Sequence, residues 1–162
     1  MAKNKEIKTN AMRILDSLKI PYKSYFYECD EFIDALKIAD QLGLPYEKVY
    51  KTLVTGAPSK NYYVFVIPIA EELDLKKAAR AVGEKSVEMI AVKEINSITG
   101  YIRGGCTAVG MKKKYVTKVD ESAKELVTMI VSGGKIGVQL ELKPEELLLA
   151  CEGTFDDLIV KH

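Results

Sequence analysis

The fold is decided by the stretch Lys51-Thr-Leu-Val-Thr-Gly-Ala-Pro-Ser-Lys-Asn61-Tyr-Tyr-Val-Phe-Val-Ile-Pro-Ile69. Its two ends, residues 51–55 and 62–69, are rich in apolar, β-branched and aromatic side chains. Such side chains suit a pleated, half-buried surface, so both runs predict strands. The six residues between them include Gly56 and Pro58, which are typical of a turn. The stretch therefore predicts a β-hairpin.

Other elements are predicted on both sides of this hairpin. Helices are predicted over residues 10–18, capped by Thr9 or Asn10, over 34–42, from the cap Asp74 to Val82, over 93–98 and over 144–151. Further strands are predicted over residues 22–27, 87–91, 126–131, 138–142 and 157–160. In the helix after Asp74, four residues are expected to face inward: Leu75, Ala78, Ala79 and Val82. The predicted fold class is α/β of the α+β type: a mixed, mainly antiparallel, barrel-like sheet with peripheral helices.

The composition indicates one ordinary globular domain. The chain has 162 residues, 48% of them hydrophobic and 29% charged, with a net charge of +1. One domain over residues 1–162 is expected, with residues 1–6 loose. Its longest apolar run, residues 62–70, is far shorter than the ~20 residues of a membrane span, and the N-terminus lacks the apolar region of a secretory signal. We expect a cytoplasmic protein with no membrane or DNA partner.

Histidine and cysteine exclude several classes of enzyme. The one histidine is the last residue, His162, so a Ser-His-Asp triad, a Cys-His dyad or a His-rich zinc site is not expected. The cysteines Cys29, Cys106 and Cys151 are too far apart for a CxxC motif, and their odd number fits a reducing compartment. Any enzyme here is expected to work without histidine, metal or cofactor.

Glycines and basic residues are unevenly distributed. Seven of the eleven glycines fall in two loops, at 100, 104, 105 and 110 and at 133, 134 and 137. They predict either an anion-binding main chain or a pair of tight turns. Residues 95–119 hold five basic residues and no acid. This basic zone is either an attraction for a polyanion or a solvated surface, and charge alone favours the solvated surface.

Single side chains in these segments also have two interpretations. Lys51, at the start of an apolar strand, is either desolvated and functional or a lysine whose charge reaches water, and spacing alone favours the second interpretation. Ser132 binds a ligand or completes a turn. Cys106 is either a thiol activated by nearby cations or a buried inert one, the more common state. Glu71 and Glu72 are interpreted as loop surface.

Four segments together resemble a known family. They are residues 49–53 (Val-Tyr-Lys-Thr-Leu), residues 73–79 followed by 87–89, residues 99–113, and residues 131–137 (Val-Ser-Gly-Gly-Lys-Ile-Gly). In this order they resemble the YbaK/EbsC family of aminoacyl-tRNA deacylases, which hydrolyse Cys-tRNA(Pro) and are related to the editing domain of prolyl-tRNA synthetase. The resemblance implies the YbaK-like fold and an active site without histidine or metal.

The resemblance also implies roles for particular residues. Lys51 would bind the 3′-terminal nucleotide, and the segment from Gly104 to Gly110 would direct N–H groups at the ester carbonyl, as an oxyanion hole does. The implied catalytic residues are Lys51, Gly104, Gly105 and Gly110. The implied substrate-binding residues are Tyr27, Thr52, Cys106, Thr107, Ser132, Gly133 and Gln139. The implied tRNA-binding residues are Arg103, Lys112, Lys113, Lys114, Lys118 and Lys135.

The predicted activity is trans-editing of mischarged tRNA, foremost Cys-tRNA(Pro), with the cysteinyl thiol attacking its own ester. The partners are the acceptor end of the aminoacyl-tRNA and, as the resemblance implies, prolyl-tRNA synthetase. The chain departs from the family pattern at Ala108, where proline is usual, at Gln139, where aspartate is frequent, and at Ile136, where arginine is frequent. Two alternatives therefore stay open: a non-catalytic tRNA-binding or synthetase-associated module, and a deacylase for another amino acid such as alanine.

Overall fold

The computed structural model describes residues 8–28 and 35–161. Residues 1–6 and Cys29 lie outside them. The helices are α1 (Asn10–Ser17), α2 (Ala35–Leu42), α3 (Leu75–Val82), α4 (Ile95–Thr99) and α5 (Pro144–Cys151). The strands are β1 (Lys23–Phe26), β2 (Tyr50–Gly56), β3 (Tyr62–Pro68), β4 (Glu88–Met89), β5 (Val116–Asp120), β6 (Met129–Ser132), β7 (Val138–Leu142) and β8 (Thr154–Asp156). Short 3-10 turns span Tyr46–Lys48, Val92–Glu94 and Glu121–Glu125.

The strands form two sheets. One has the order β4-β2-β3-β5-β8 and the other the order β1-β7-β6. The pairs β3–β5 and β5–β8 are parallel and the other strand pairs are antiparallel, which confirms a mixed, mainly antiparallel α+β fold. Among the described residues, one parallel bridge, between Val49 and Ile130, connects the two sheets. Within the described ranges they do not close into a barrel, so the barrel-like part of the prediction is not confirmed.

The local signals confirm several elements. β2 and β3 form the predicted antiparallel hairpin, in which Lys51 lies opposite Ile67. Thr9 caps α1 by accepting a hydrogen bond from the N–H of Met12 at 3.1 Å. Asp74 caps α3 in the same way, and Gly83 ends that helix with a φ of 73°. Each of these features depends on a few neighbouring residues, which is why sequence alone predicts them.

Other predictions differ from the structure. The strand β5 was not predicted; Lys118 interrupts its apolar pattern, but parallel pairing on both sides keeps Val119 fully buried. The strand predicted at 126–131 begins only at Met129, and Val127 is 86% exposed. The strand predicted at 157–160 lies at 154–156 instead, where β5 offers a free edge. The strand predicted at 87–91 is shorter, and Leu75 is exposed.

The core has separate clusters on the two faces of the five-stranded sheet. One cluster joins α1, through Met12 and Leu15, to residues of both sheets such as Val64 and Leu140. Another packs α3 against the opposite face of β3, which carries Phe65 and Ile67. The five-stranded sheet is therefore covered by apolar clusters on both faces. In the described part of the chain, no helix is long and apolar enough to cross a membrane.

Candidate functional site

A cavity of about 500 Å³ opens where β2 and β6 diverge beyond their single bridge. Residues 49–54, most of which belong to β2, form one side of it. Ser132 and Gln139 of the smaller sheet form another side. Arg103, Gly104 and Cys106 line it from the loop that follows α4. Segments that are distant in sequence thus meet around one space. Of the residues implied by the resemblance, the cavity brings together Lys51, Thr52, Arg103, Gly104, Cys106, Ser132 and Gln139.

Lys51 is a half-buried cation at this cavity. Burial lowers its pKa, and the nearby carboxylates of Glu72 and Glu71 oppose that change only in part. No hydrogen bond or ion pair joins its ammonium group to the described residues. These observations favour the desolvated lysine over the fully solvated one. They also place the charges of Glu71 and Glu72 near a site residue, which their interpretation as plain loop surface did not anticipate.

Ser132 and Gln139 face each other across β6 and β7. Gln139 is only 6% exposed yet lines the cavity, so its amide is a buried polar group at the site. The Ser132 hydroxyl accepts a hydrogen bond from the N–H of Gly134 at 3.3 Å and also lines the cavity. Ser132 therefore completes a turn and borders the site at once.

The two glycine loops touch each other. A Cβ added at Gly105 would lie 3.0 Å from main-chain atoms of Lys135 and Ile136, so Gly105 allows this close approach. A Cβ at Gly133 would lie 2.4 Å from a methyl carbon of Val138. Neither residue lines the cavity, whereas Gly104 does, with a φ of 87°. Gly105 and Gly133 thus allow close packing of the chain, whereas Gly104 lies at the cavity itself.

Gly110 lies against α1 and is not brought to the cavity. Its φ is 76°, and a Cβ there would lie 2.5 Å from the Cδ1 atom of Ile14. The Asn10 side chain donates a hydrogen bond to the Gly110 carbonyl oxygen at 3.1 Å. The geometry favours a structural role for this glycine over a place in an oxyanion hole.

We therefore expect Gly110→Ala to reduce stability without changing the chemistry of the folded protein. Gly83→Ala is a matched control, because Gly83 has a similar φ of 73° but no atom within 4 Å of an added Cβ. The control should lose about 1 kcal/mol of unfolding free energy and Gly110→Ala about 2–3 kcal/mol, since it adds a clash to the backbone strain. Urea denaturation measures both. Equal losses would contradict the proposed contact with α1.

The remaining implied substrate residues are placed differently. Tyr27 is buried outside the cavity lining, and its hydroxyl has no hydrogen-bond partner among the described residues. Thr107 is buried and accepts a hydrogen bond from the N–H of Val109. Burial raises the pKa of Cys106 to about 11, so its thiol stays protonated near neutral pH. The side chain is only partly buried, and its raised pKa agrees with the inert thiol that the sequence favoured.

The six basic residues fall into three pairs. Arg103 lines the cavity, and the main chain of Lys135 lies against Gly105 of the adjacent loop. Lys113 and Lys114 line a second, smaller cleft of about 160 Å³, where Lys114 also pairs with Glu152 at 2.8 Å. The other two donate hydrogen bonds: Lys112 to the carbonyl of Ser97 and Lys118 to Thr154.

Sequence reasoning missed the apolar wall of the cavity. Leu36 and Ile38 of α2 contribute to it, as do Met89 of β4, Val92 of the following 3-10 turn and Ile95 at the start of α4. Met89 and Val92 are 47% and 54% exposed, so part of this apolar wall is open to solvent. These residues come together only through tertiary contacts.

The described residues also hold no cluster of three or more His, Cys, Asp or Glu side chains that could bind a metal.

Comparison with known proteins gives concordant matches. A family described as "Aminoacyl-tRNA editing domain" matches residues 32–149. An Enterococcus faecalis protein named "Putative Cys-tRNA(Pro)/Cys-tRNA(Cys) deacylase EbsC" is 45% identical over 164 residues, which cover both chains in full. These matches confirm the resemblance carried by the four segments.

Two solved structures share the fold at 22% identity. One, described as "a putative trans-editing enzyme for prolyl tRNA synthetase", has a TM-score of 0.79 over 96% of this chain and 100% of its own. The other, a hypothetical protein, has a TM-score of 0.83 over 91% of this chain and 97% of its own. The family match covers most of the chain, the curated relative covers all of it, and the fold agrees. The chain belongs to the aminoacyl-tRNA editing domain family.

Proposed function

We propose that the protein is a trans-editing hydrolase that deacylates mischarged aminoacyl-tRNA, with Cys-tRNA(Pro) as the foremost substrate. The observation that carries this proposal is the cavity, which gathers Lys51, Gly104, Ser132 and Gln139 from distant segments in a member of an editing family. The name of the 45% identical relative supports the choice of substrate.

Such an enzyme answers a limit of molecular recognition. A synthetase site that accepts proline cannot strongly reject cysteine, because small apolar differences are worth only about 1–3 kcal/mol. A second site that hydrolyses the wrong ester corrects the error. We place this reaction in the cytoplasm, with prolyl-tRNA synthetase as a partner that delivers tRNA(Pro); the trans-editing description of one structural relative supports this partner.

In the proposed mechanism the substrate supplies its own nucleophile. The cysteinyl sulfur attacks the ester carbonyl carbon, the new C–S bond forms, and the C–O bond to the ribose breaks. The thiol proton passes to the departing 3′-oxygen, and water then opens the thiolactone to give free cysteine. A thiol with a pKa of ~8.5 is a few per cent thiolate at neutral pH, so no protein base is required. Proline has no thiol and survives.

The protein's part is to position the ester and stabilise charge. Lys51 binds the phosphate of the 3′-terminal nucleotide and holds the ester over the cavity. The Gly104 loop directs main-chain N–H groups at the developing oxyanion, which in other enzymes contributes a factor of about 10²–10³ per donor. The buried amide of Gln139 hydrogen-bonds the aminoacyl group. Holding thiol and ester in an attacking geometry can supply roughly 7–11 kcal/mol at best.

Arg103 and Lys135 contact the acceptor end close to the cavity in this proposal, and Lys112, Lys113, Lys114 and Lys118 extend that contact. We expect Arg103→Ala to raise KM for Cys-tRNA(Pro) several-fold with little change in kcat. The slope of log KM against log salt concentration should also become smaller by about one, because one phosphate contact is lost. Lys76→Ala, on the exposed side of α3, removes the same charge elsewhere. Equal effects in the two variants would contradict the local contact.

The experiment that tests the proposal compares release of amino acid from Cys-tRNA(Pro), Ala-tRNA(Pro) and Pro-tRNA(Pro), with and without prolyl-tRNA synthetase. We expect fast release of cysteine alone. Release of alanine at a similar rate would replace thiol assistance by direct attack of water. No release from any of them would leave a non-catalytic tRNA-binding or synthetase-associated module.

A further inference from the structure

The edge of β2 that faces the cavity carries main-chain groups without partners. On this edge Thr55 and Gly56 pair with β4, and Val49 forms the bridge to Ile130. Between these contacts, no described residue pairs with residues 51–53 on the cavity side. An unpaired strand edge is a template for hydrogen bonding by another extended chain.

The direction of these groups follows from two hydrogen bonds. The Val54 carbonyl accepts from the N–H of Ile90 at 3.2 Å, on the β4 side. The Val49 carbonyl accepts from the N–H of Ile69 at 3.0 Å, on the β3 side. In an antiparallel pair, successive residues direct their N–H and C=O groups to opposite edges. The N–H and C=O of Thr52 therefore both face the cavity, as Val54 does, while those of Leu53 face β3.

An aminoacyl ester has the polar pattern of one strand residue. Its α-ammonium group is a donor, its ester carbonyl is an acceptor, and a single carbon separates them. In the hydrogen-bonded residue pair of an antiparallel ladder, each residue gives its N–H to the carbonyl of the other. The aminoacyl group can form the same two bonds with Thr52, as peptides do when they extend a sheet.

We propose that the main chain of Thr52 binds the aminoacyl group as an added strand residue. The α-ammonium group donates to the Thr52 carbonyl oxygen, and the Thr52 N–H donates to the ester carbonyl oxygen. This proposal rests on the proposed deacylase function and adds to it an oxyanion donor and a requirement for a free α-amino group. The side chain of Thr52 is not needed for either bond.

The test removes the Thr52 N–H without altering the side chain, by replacing threonine with its α-hydroxy analogue so that a backbone ester stands at this position. Release of cysteine from Cys-tRNA(Pro) should fall about 100-fold, as when an oxyanion donor is lost. The same replacement at Ser59, in the exposed turn between β2 and β3, should leave the rate within about 3-fold of wild type. Wild-type activity of the backbone ester variant would overturn the proposal.

Proline substitution tests the direction of the N–H groups. Proline is tolerated in a strand where its missing N–H is not part of the ladder. Thr52→Pro should therefore fold with nearly unchanged thermal stability, whereas Leu53→Pro should be strongly destabilised. If Thr52→Pro or the backbone ester variant failed to fold, the Thr52 N–H would belong to the ladder and the proposal would fall.

A binding measurement separates this proposal from the proposed function. The probes are non-hydrolysable amides of 3′-amino-3′-deoxyadenosine, one carrying cysteine and one carrying 3-mercaptopropionate, which lacks the α-amino group. The wild type should bind the cysteinyl amide about 10-fold more tightly than the deaminated amide, and the backbone ester variant should bind it about 10-fold more weakly than the wild type. Equal binding in these comparisons overturns the Thr52 proposal even if the enzyme is active. If both binding differences are found but the protein does not deacylate Cys-tRNA(Pro), the proposed function falls and the Thr52 proposal stands.

Discussion

Replacing Lys51 by alanine is expected to reduce release of cysteine from Cys-tRNA(Pro) at least 100-fold. Lys51 is a half-buried cation that lines the cavity, one residue before the Thr52 main chain that we assign to the substrate. A preorganised charge in a water-poor site contributes far more to the transition state than the same charge in bulk water. Single-turnover deacylation measures the effect directly.

A neutral variant of similar shape, Lys51→Met, separates chemistry from stability. Burial lowers the pKa of Lys51, so the folded protein disfavours the charged form relative to the unfolded chain. The unfolded chain therefore binds more protons between the lowered pKa and about 10.4, and wild-type stability rises with pH in that range. Lys51→Met should be as inactive as Lys51→Ala yet as stable as wild type at pH 7, or more stable by about 1 kcal/mol.

The pH profile provides a further check on Lys51. Wild-type activity should fall on the alkaline side at a pH below the ordinary lysine value, as the ammonium loses its proton. An active Lys51→Met variant, or one that unfolds at room temperature, would remove Lys51 from the assigned site.

Replacing Glu141 by glutamine is expected to produce the largest loss of stability from a single polar side chain. Glu141 accepts hydrogen bonds from the Tyr25 hydroxyl at 2.6 Å, from the Lys48 ammonium at 2.7 Å and from Thr128. These donors come from β1, the turn before β2 and the loop before β6. The carboxylate thus joins the smaller sheet to the strand that carries Lys51.

The acid behaviour of Glu141 follows from the same contacts. Burial alone would raise its pKa, but hydrogen bonds from Lys48, Thr128 and Tyr25 outweigh it and hold the pKa at about 2. The folded pKa lies below the unfolded one, so this stabilisation is complete above about pH 4.5 and is lost as the pH falls toward 2. Glu141→Gln should lower the free energy of unfolding by about 2–3 kcal/mol at pH 7 and by about half of that at pH 3.

Urea denaturation of both proteins at the two pH values tests this prediction. Asp157→Asn is a suitable control, because Asp157 accepts a hydrogen bond from Lys77 at 3.1 Å while its side chain is 41% exposed. An exposed pair of this kind contributes at most about 1 kcal/mol. A Glu141→Gln loss that does not change between pH 7 and pH 3 would show that the charge of Glu141 is not what stabilises the protein.

Sequence alone predicted those parts of the fold that depend on local chemistry. The hairpin around Gly56 and Pro58 and the caps of α1 and α3 each rest on a few adjacent residues. The strand β5 could not be predicted in this way, because its burial comes from β3 and β8, and its own lysine conceals the pattern. Leu75 has the helical spacing of a core residue, but the core lies on another face of α3.

The residues of the candidate site likewise include some that sequence could predict and some that it could not. Lys51 and Gly104 could be selected from sequence because the family motifs mark them, and the structure places both at the cavity. The glycine count could not separate Gly104, which reaches the site, from Gly110, whose positive φ and contact with Ile14 serve packing. The free edge at Thr52 was invisible in sequence, since it depends on where the partners of β2 end.

The most direct test of the central claim is single-turnover deacylation by the wild-type protein of Cys-tRNA(Pro) beside Pro-tRNA(Pro). We predict rapid release of cysteine and none of proline above the spontaneous rate. Stable Cys-tRNA(Pro), in the presence and in the absence of prolyl-tRNA synthetase, would contradict the proposed editing activity.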